Sequence, residues 1–251
     1  MGINVGGYEI NSSVAKTFAS NEIIQNGLVL NLDASTIESY QGSSTSLYDL
    51  SANSNTSTLT NGASYVSTSG GGIYMDGVSN YVLVPNSTSI QMTAAMSINV
   101  WFSIPQNGLP YRQALLSKPY YNYELGIYPG GTIHTYTRAG TGTSAPSYDE
   151  GCTAQHPAGD WQANRMYNVT WTLNGTAETS YFEGTLAVSG GTYTKGHSGT
   201  DDAGQDLLLG TRNASDLWFK GTIYAVHIYN RALSSTEVLH NYNVQKGRFG
   251  L

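Results

Sequence analysis

Cysteine is almost missing from this 251-residue chain. Cys152 stands alone, so no disulfide can form within it, and the disulfide-stapled small folds are excluded. Charge is scarce too. Asp, Glu, Lys and Arg make up 11% of the residues, under half of the ~25% of an average domain. Cations are the rarer sign, with 11 Lys+Arg against 17 Asp+Glu and a formal net charge of −6. A surface so short of cations cannot neutralise a phosphate backbone, which argues against nucleic acid as a partner. No run approaches the ~18 apolar residues of a membrane-crossing helix, so no membrane insertion is expected. Residues 1–10 show no basic start followed by an apolar stretch, so no secretory leader is expected. Position 6 is Gly6 rather than Ser or Thr, which leaves the Met-Gly start outside the myristoylation pattern. The 29 Gly follow no triplet repeat, so the chain is not collagen-like.

What is present is enough for one large core. Hydrophobic residues are 39% of the chain, and the aromatics number 19 Tyr, 4 Trp and 5 Phe. From Gly27 onward the dominant signal is alternation. Leu28, Leu30 and Leu32 keep a period of two, as do Ile98, Val100, Phe102 and Ile104. Tyr167, Val169, Trp171 and Leu173 do the same, interleaved with Asn168, Thr170 and Thr172. This last run reads as a half-buried strand with its amide and hydroxyls facing water. Asn61-Gly62, Asp76-Gly77, Asn107-Gly108, Asn174-Gly175 and Gly190-Gly191 punctuate the runs; such pairs accept the positive φ of tight turns. Short strands at regular spacing with turn signals mean an all-β sandwich or barrel.

Three local features stand apart. Residues 1–26 lack a sustained pattern and read as an N-terminal arm, leaving 27–251 as the folded domain. Ser234-Ser235-Thr236-Glu237 is a capping box, and Val238, Leu239 and Tyr242 give the short C-terminal helix an apolar face before Gly247. Ile223 falls out of phase with Val226 and Ile228, which predicts a β-bulge in the last strand. The stretch 134–165, with His134, Arg138, Asp149, Glu150, Cys152, His156, Asp160 and Trp161, reads as a long loop, the usual place for a site.

Four stretches carry a family resemblance: Gly27-Leu28-Val29-Leu30-Asn31-Leu32-Asp33-Ala34 with Tyr48-Asp49-Leu50-Ser51-Ala52-Asn53; Tyr74-Met75-Asp76-Gly77-Val78-Ser79-Asn80-Tyr81-Val82; Ser180-Tyr181-Phe182-Glu183-Gly184; and Gly221-Thr222-Ile223 through Val226-His227-Ile228-Tyr229-Asn230-Arg231-Ala232-Leu233-Ser234 with Glu237. Together they resemble the laminin-G-like, concanavalin A-like lectin/glucanase family over roughly 27–245. The resemblance implies an antiparallel jelly-roll sandwich of two sheets. It implies a carbohydrate- or protein-binding module, sometimes with a structural calcium. The opening and the Asp-Leu-Ser-x-Asn segment are similar to those of tailed-bacteriophage virion proteins. That implies a non-enzymatic virion structural protein assembled in the host cytoplasm, with other virion proteins as partners. A capsid-surface decoration protein anchored by its arm is the preferred form, because no heptad or fibrous repeat supplies a shaft.

The chemistry-bearing residues support binding more than turnover. Glycosidases of this fold set carboxylates at alternating positions of one strand; here the acids cluster as Asp149-Glu150 and Asp201-Asp202 with Asp206. Cys152 and His156 make no nucleophile signature, and the histidines lack zinc spacing. For calcium, Asp76 sits at a suitable turn, but Asn80 and Tyr224-Ala225 stand where acids or amides would help; no cofactor is expected. For a host-surface glycan the candidate stacking residues are Tyr120, Tyr121, Tyr123, Trp161 and Trp218. The same rings would equally serve as packing on a sheet face or as protein-interface anchors. A glycan-binding adhesin of a tail or fibre is thus the alternative to capsid decoration, with a glycoside hydrolase the third reading.

Overall fold

The computed structural model describes residues 22–92, 94–119, 122–138, 148–192 and 204–251. They build two antiparallel sheets of eight strands each. Sheet A contains β1 (Leu28–Asp33), β4 (Ser64–Val66), β5 (Gly72–Asp76), β7 (Ala95–Ser103), β12 (Tyr167–Asn174), β13 (Ala177–Phe182), β14 (Thr185–Thr192) and β16 (Lys220–Tyr229). Its order is β14-β13-β12-β7-β16-β5-β4, with β1 also pairing to β16. Sheet B contains β2 (Ser46–Leu47), β3 (Ser57–Thr60), β6 (Tyr81–Val84), β8 (Gln113–Lys118), β9 (Tyr123–Tyr128), β10 (Thr132–Arg138), β11 (Tyr148–Gln155) and β15 (Leu207–Leu209). Its order is β11-β10-β9-β8-β15-β6-β3-β2. The expected two-sheet antiparallel jelly roll with one short C-terminal helix is what the chain forms.

The core lies between the sheets, where the alternation places it. Met96, Ile98, Val100 and Phe102 of β7 and Tyr167, Val169, Trp171 and Leu173 of β12 meet Tyr123, Leu125 and Ile127 of β9 and Val82 and Val84 of β6. Each is buried, and each large side chain removed from water contributes on the order of 1.5–3 kcal/mol. The predicted bulge is present: the β16–β7 register shifts between Ile223 and Ala225. Gly62, Gly77, Gly108 and Gly175 all take positive φ at their turns. Gly190-Gly191 does not turn; it lies inside β14, where Glu178 pairs Gly191 and Thr179 pairs Ser189. Gly190 is the extra residue of a bulge, which is the other use of glycine in a strand.

Helix α1 (Ser235–Lys246) starts at Ser234, whose hydroxyl accepts from the Glu237 amide while the Glu237 carboxylate accepts from the Ser234 amide. Arg231 grips the same carboxylate at 2.6 and 2.9 Å and, as the leading cause, pulls Glu237 down to about 2. The buried face of α1 is Val238 and Asn241, whereas Leu239 is exposed; at 100° per residue, 241 shares a face with 238 better than 239 does. Asn241 donates to Tyr229 Oη at 2.9 Å and accepts from the Ile24 amide at 2.8 Å. Ile23 and Ile24 are buried with Leu28, Tyr181 and Val238, so the described end of the N-terminal segment packs under the helix.

The helix explains a second departure from expectation. Asn168, Thr170 and Thr172 are buried rather than facing water. A cross-strand row, Tyr181–Thr170–Asn99–His227–Asn31, runs along the outer face of sheet A. Asn99 Nδ2 donates to Thr170 Oγ1 at 2.7 Å, and Gln245 of α1 lies 3.3 Å from His227. Trp101, also on this face, stacks on Tyr242 and Phe249 at 5.5 and 4.4 Å. This face is buried under the C-terminal segment and residues 23–24, and its polar groups turn to the neighbouring strands, Thr170 to Asn99, Asn168 to the Val100 carbonyl and Thr172 to the Thr179 carbonyl.

Candidate functional site

The sequence-predicted aromatics separate sharply. Tyr120 and Tyr121 lie outside the described residues. Tyr123 points into the core, its hydroxyl donating to the Ile90 carbonyl at 3.0 Å. Trp161 is 1% exposed; its indole N–H donates to Tyr128 O at 2.6 Å and its ring packs on Phe102, Tyr167 and Phe182. Neither ring has a face free for a sugar. Trp218 is half-buried beside Tyr81, ring centroids 6.2 Å apart, at the margin of sheet B.

The stretch 134–165 is not one long loop: β10 and β11 pair there, from Thr132–Gln155 to Arg138–Tyr148. Their alternation is hidden by polar outward residues and a register shift between His134 and Tyr136. Asp160 caps the turn beside them, accepting from the Gly130 and Trp161 amides at 3.0 and 2.8 Å. His156 is buried; its Nδ1 accepts from the Ala158 amide at 3.0 Å, so Nε2 carries the proton and donates to Glu183 at 3.3 Å. Arg165 holds the same carboxylate at 2.8 Å. The His156 bond, against the opposing effect of burial and with help from Arg165, keeps Glu183 below its ordinary value. This is a structural clasp between β13–β14 and the preceding segment. The Cys152, Asp149 and Glu150 side chains and the pair Asp201-Asp202 lie outside the described residues. Asp206 accepts from the Asn86 amide at 2.8 Å.

The Asp-rich motifs are structural as well. Asp49 accepts from the amides of Asn31, Ser51 and Asn55 at 2.8, 2.8 and 2.9 Å, tying its loop to β1. Asp76 Oδ1 accepts from the Val78, Ser79 and Asn80 amides. Burial works to raise the Asp76 pKa, but these amides outweigh it and the carboxyl sits below its usual value. Oδ1 of Asp76, the residue considered for calcium, is thus directed at the turn, and no group of three or more His, Cys, Asp and Glu converges among the described residues.

A different cluster occupies the outer face of sheet B, which carries no α-helix among the described residues. Register partners place Leu83, Leu208, Ser117, Glu124 and Tyr136 in one row across it. Glu124, its side chain fully buried, is the centre. Arg112 donates to its Oε1; Arg212 donates to Oε2 at 2.9 Å and reaches Oε1 at 3.4 Å. The guanidinium of Arg112 also lies 4.1 Å over the Tyr136 ring and 5.2 Å from that of Tyr128. Tyr128 stacks on His134 at 3.8 Å, and the hydroxyls of Tyr128 and Tyr136 share a hydrogen bond of 2.8 Å. Gly126 makes room: a Cβ there would stand 3.1 Å from the Gln113 carbonyl and 3.6 Å from Arg112 Nε.

Arg112 and Arg212 remain 15% and 17% exposed at their side chains, while Tyr128 and His134 are half-buried. The face therefore presents two guanidinium edges in fixed positions beside a stacked ring pair. Such groups donate to ligand oxygens and pack on C–H faces. Both oxygens of Glu124 are occupied by guanidinium donors, so neither is presented to a ligand as an acid or nucleophile. The sequence reading missed Arg112, Glu124, Tyr128 and Arg212. One signal was there: Tyr123, Leu125 and Ile127 face inward, which places Glu124, Gly126 and Tyr128 together on the outer face. The arginines, a hundred positions apart, had no local signature.

Comparison with known proteins agrees with this architecture. A laminin-G-type family profile, described as "Concanavalin A-like lectin/glucanases superfamily", matches residues 76–239. No curated protein matches the sequence. Among solved structures, the botulinum neurotoxin type G receptor-binding domain superposes with a TM-score of 0.66 at 16% identity, over 88% of this chain and 52% of that one. The binding domain of paraclostridial mosquitocidal protein 1 gives 0.64 at 17%, over 86% and 52%. A mutant of Trypanosoma rangeli sialidase displaying trans-sialidase activity gives 0.60 at 17%, over 90% and 34%. The chain spans about half the length of the binding domains it resembles, and at these identities the likeness is one of fold.

Proposed function

The chain belongs to the concanavalin A-like lectin/glucanase superfamily, and from that premise we propose that it is a non-catalytic binding module which takes a glycan on the outer face of sheet B. One observation carries this reading: Arg112 and Arg212, locked onto Glu124 beside the Tyr128–His134 stack, form a preorganised polar-aromatic surface on the sheet face that the helix leaves open. Locking two long side chains before the ligand arrives lowers the ordering cost of binding. The likeness to receptor-binding domains of toxins supports a surface-recognition role and does not identify a ligand. The test is a glycan array with wild type, Tyr128→Ala and Arg212→Gln. Loss of a specific signal in both variants is expected, with far-UV circular dichroism showing each still folded. A signal untouched by either variant would remove the site from this face, and no signal for wild type on any glycan would sink the reading.

The finer placement, decoration of a tailed-phage capsid, is supported by the Gly27–Ala34 opening and the Asp49-Leu50-Ser51-Ala52-Asn53 segment. A tail adhesin is the alternative location for the same binding face. Because Ile23 and Ile24 pack under α1, a truncation that probes the arm should stop at residue 21. Loss of particle binding by the chain lacking 1–21 is expected, and full retention would overturn the arm as anchor.

A further inference from the structure

Sheet A has one part of its outer face that the C-terminal segment leaves uncovered. Helix α1 and the turn Gly247–Phe249 cover Trp101 and Tyr224, and Arg248 reaches on to the Ser69 and Gly71 carbonyls at 3.2 and 3.1 Å. Beyond Tyr224, the register row Tyr74–Thr222–Ser103 crosses β5, β16 and β7 and forms the floor of a cleft of about 390 Å³. That is within the ~300–1,000 Å³ range of small-molecule sites. Thr68 and Ser69 wall one side, and Ile104, Pro105 and Asn164 contribute to the rest.

The lining has a distinct chemistry. Among the described residues it contains no acidic or basic side chain. Ser103 Oγ and Tyr224 Oη share a hydrogen bond of 3.2 Å. Among the described residues, the side-chain hydroxyls of Tyr74 and Thr222 and the side-chain amide of Asn164 make no hydrogen bond. Asn164 is held at φ +61°, its backbone N–H donating to Ile104 O at 2.7 Å. Gly221 keeps β16 close to β7: a Cβ there would fall 2.2 Å from Ser103 O and 2.6 Å from the Phe219 ring. The floor thus lies flat against the sheet, with unengaged donors and acceptors above it and the rings of Tyr74 and Tyr224 beside them.

We infer that this cleft is a second binding site, independent of the sheet B face, and that it takes an uncharged sugar residue. A neutral sugar matches each feature. It offers several hydroxyls to a ring of hydroxyl and amide groups, and an apolar C–H face to Tyr74 and Pro105. It asks for no counter-charge, which the cleft lacks, so carboxylated or phosphorylated ligands would be buried there unpaired. An extended peptide is disfavoured, because β5 is already paired on both sides, by β4 and β16, and offers no free edge.

The test is amide-resolved NMR titration of the full chain with glucose, galactose, mannose and N-acetylglucosamine, and with glucuronic acid as the charged comparison. At least one neutral sugar should shift the amides of Ser103, Asn164, Gly221 and Thr222, and glucuronic acid should not. Tyr74→Phe and Asn164→Gly, which remove a hydroxyl and an amide while keeping the ring and the positive φ, should each weaken that sugar about five-fold, the value of one neutral hydrogen bond. Shifts confined to Gly126, Tyr128 and their neighbours would overturn this site while supporting the sheet B face. Silence at the cleft amides with every neutral sugar, or equal affinity in both variants, would overturn it outright.

Discussion

Acid should loosen the helix from sheet A through a single residue, His227. Its ring is fully buried, with Nδ1 3.1 Å from Asn99 Oδ1 and Nε2 3.3 Å from Gln245 Nε2. With the Gln245 amide donating to Nε2, the one ring proton sits on Nδ1 and donates to Asn99, which is the neutral imidazole. Burial drives its pKa from 6.5 down to about 4; Asp33 opposes this and Arg248 adds to it. The unfolded chain accepts a proton near the ordinary value and the folded chain refuses it. The stability tied to this group is therefore fully present above pH 6.5 and is lost as pH falls from 6.5 towards 4. At 1.36 kcal/mol per unit, moving from pH 7 to pH 5 removes about 2 kcal/mol. Urea unfolding followed by tryptophan fluorescence at the two pH values reads this directly. His227→Gln provides the control, since its amide can span Asn99 and Gln245 but does not titrate. Wild type should lose about 2 kcal/mol more than the variant, and equal losses would refute the reasoning.

Trp161→Ala should cost about 3–5 kcal/mol in chemical denaturation, because it empties the space between Phe102, Tyr167 and Phe182; any binding lost with it reports a damaged core. Asp49→Ala leaves the Asn31, Ser51 and Asn55 amides without their acceptor and should cost about 3 kcal/mol, read as a fall in melting temperature. Ser234→Ala removes the acceptor for the Glu237 amide and should cost about 1 kcal/mol by the same measurement. Glu183→Gln should flatten the stability loss below pH 4.5, since its lowered pKa makes the wild-type contribution disappear as pH falls.

How much of this could be read in the chain depends on range. Local, periodic signals survived intact: the β7 and β12 alternations, the Ser234–Glu237 box and the bulge after Ile223 all rest on residues within a few positions of one another. Where a distant element covers a strand, the same alternation misled. Thr170 and Thr172 have the residue types of a wet face, and that face is dry because distant segments, Ile23–Ile24 and the chain from Leu233 to Phe249, pack over the outer side of sheet A. Aromatic identity misled for a related reason. Trp161 and Tyr123 resemble sugar platforms by type, yet each has its polar atom satisfied by a buried carbonyl, the arrangement that lets an amphipathic ring sit in a core.

The covering of sheet A also bears on where ligands can go. A sandwich with two bare outer sheets would offer two equivalent surfaces, and nothing in the alternation would choose between them. Here Trp101, buried on the outer side of β7, must be roofed, and Tyr242 and Phe249 do so by stacking. Covering it commits the C-terminal segment to sheet A, and with it Arg248, which pairs with Asp33 of β1 at 2.7 Å. Among the described residues, what stays open is the charged-aromatic row of sheet B and the uncharged cleft past Tyr224. The two differ in electrostatics, so they should respond differently to salt. Binding at the Arg112–Arg212 face should weaken from low ionic strength to 0.5 M NaCl if the ligand is anionic, because the exposed edges of the guanidiniums are screened. Binding at the Tyr74–Thr222 cleft should not move. A salt dependence at the cleft amides would show that a charge outside its lining reaches the ligand, and the neutral-sugar assignment would fall with it.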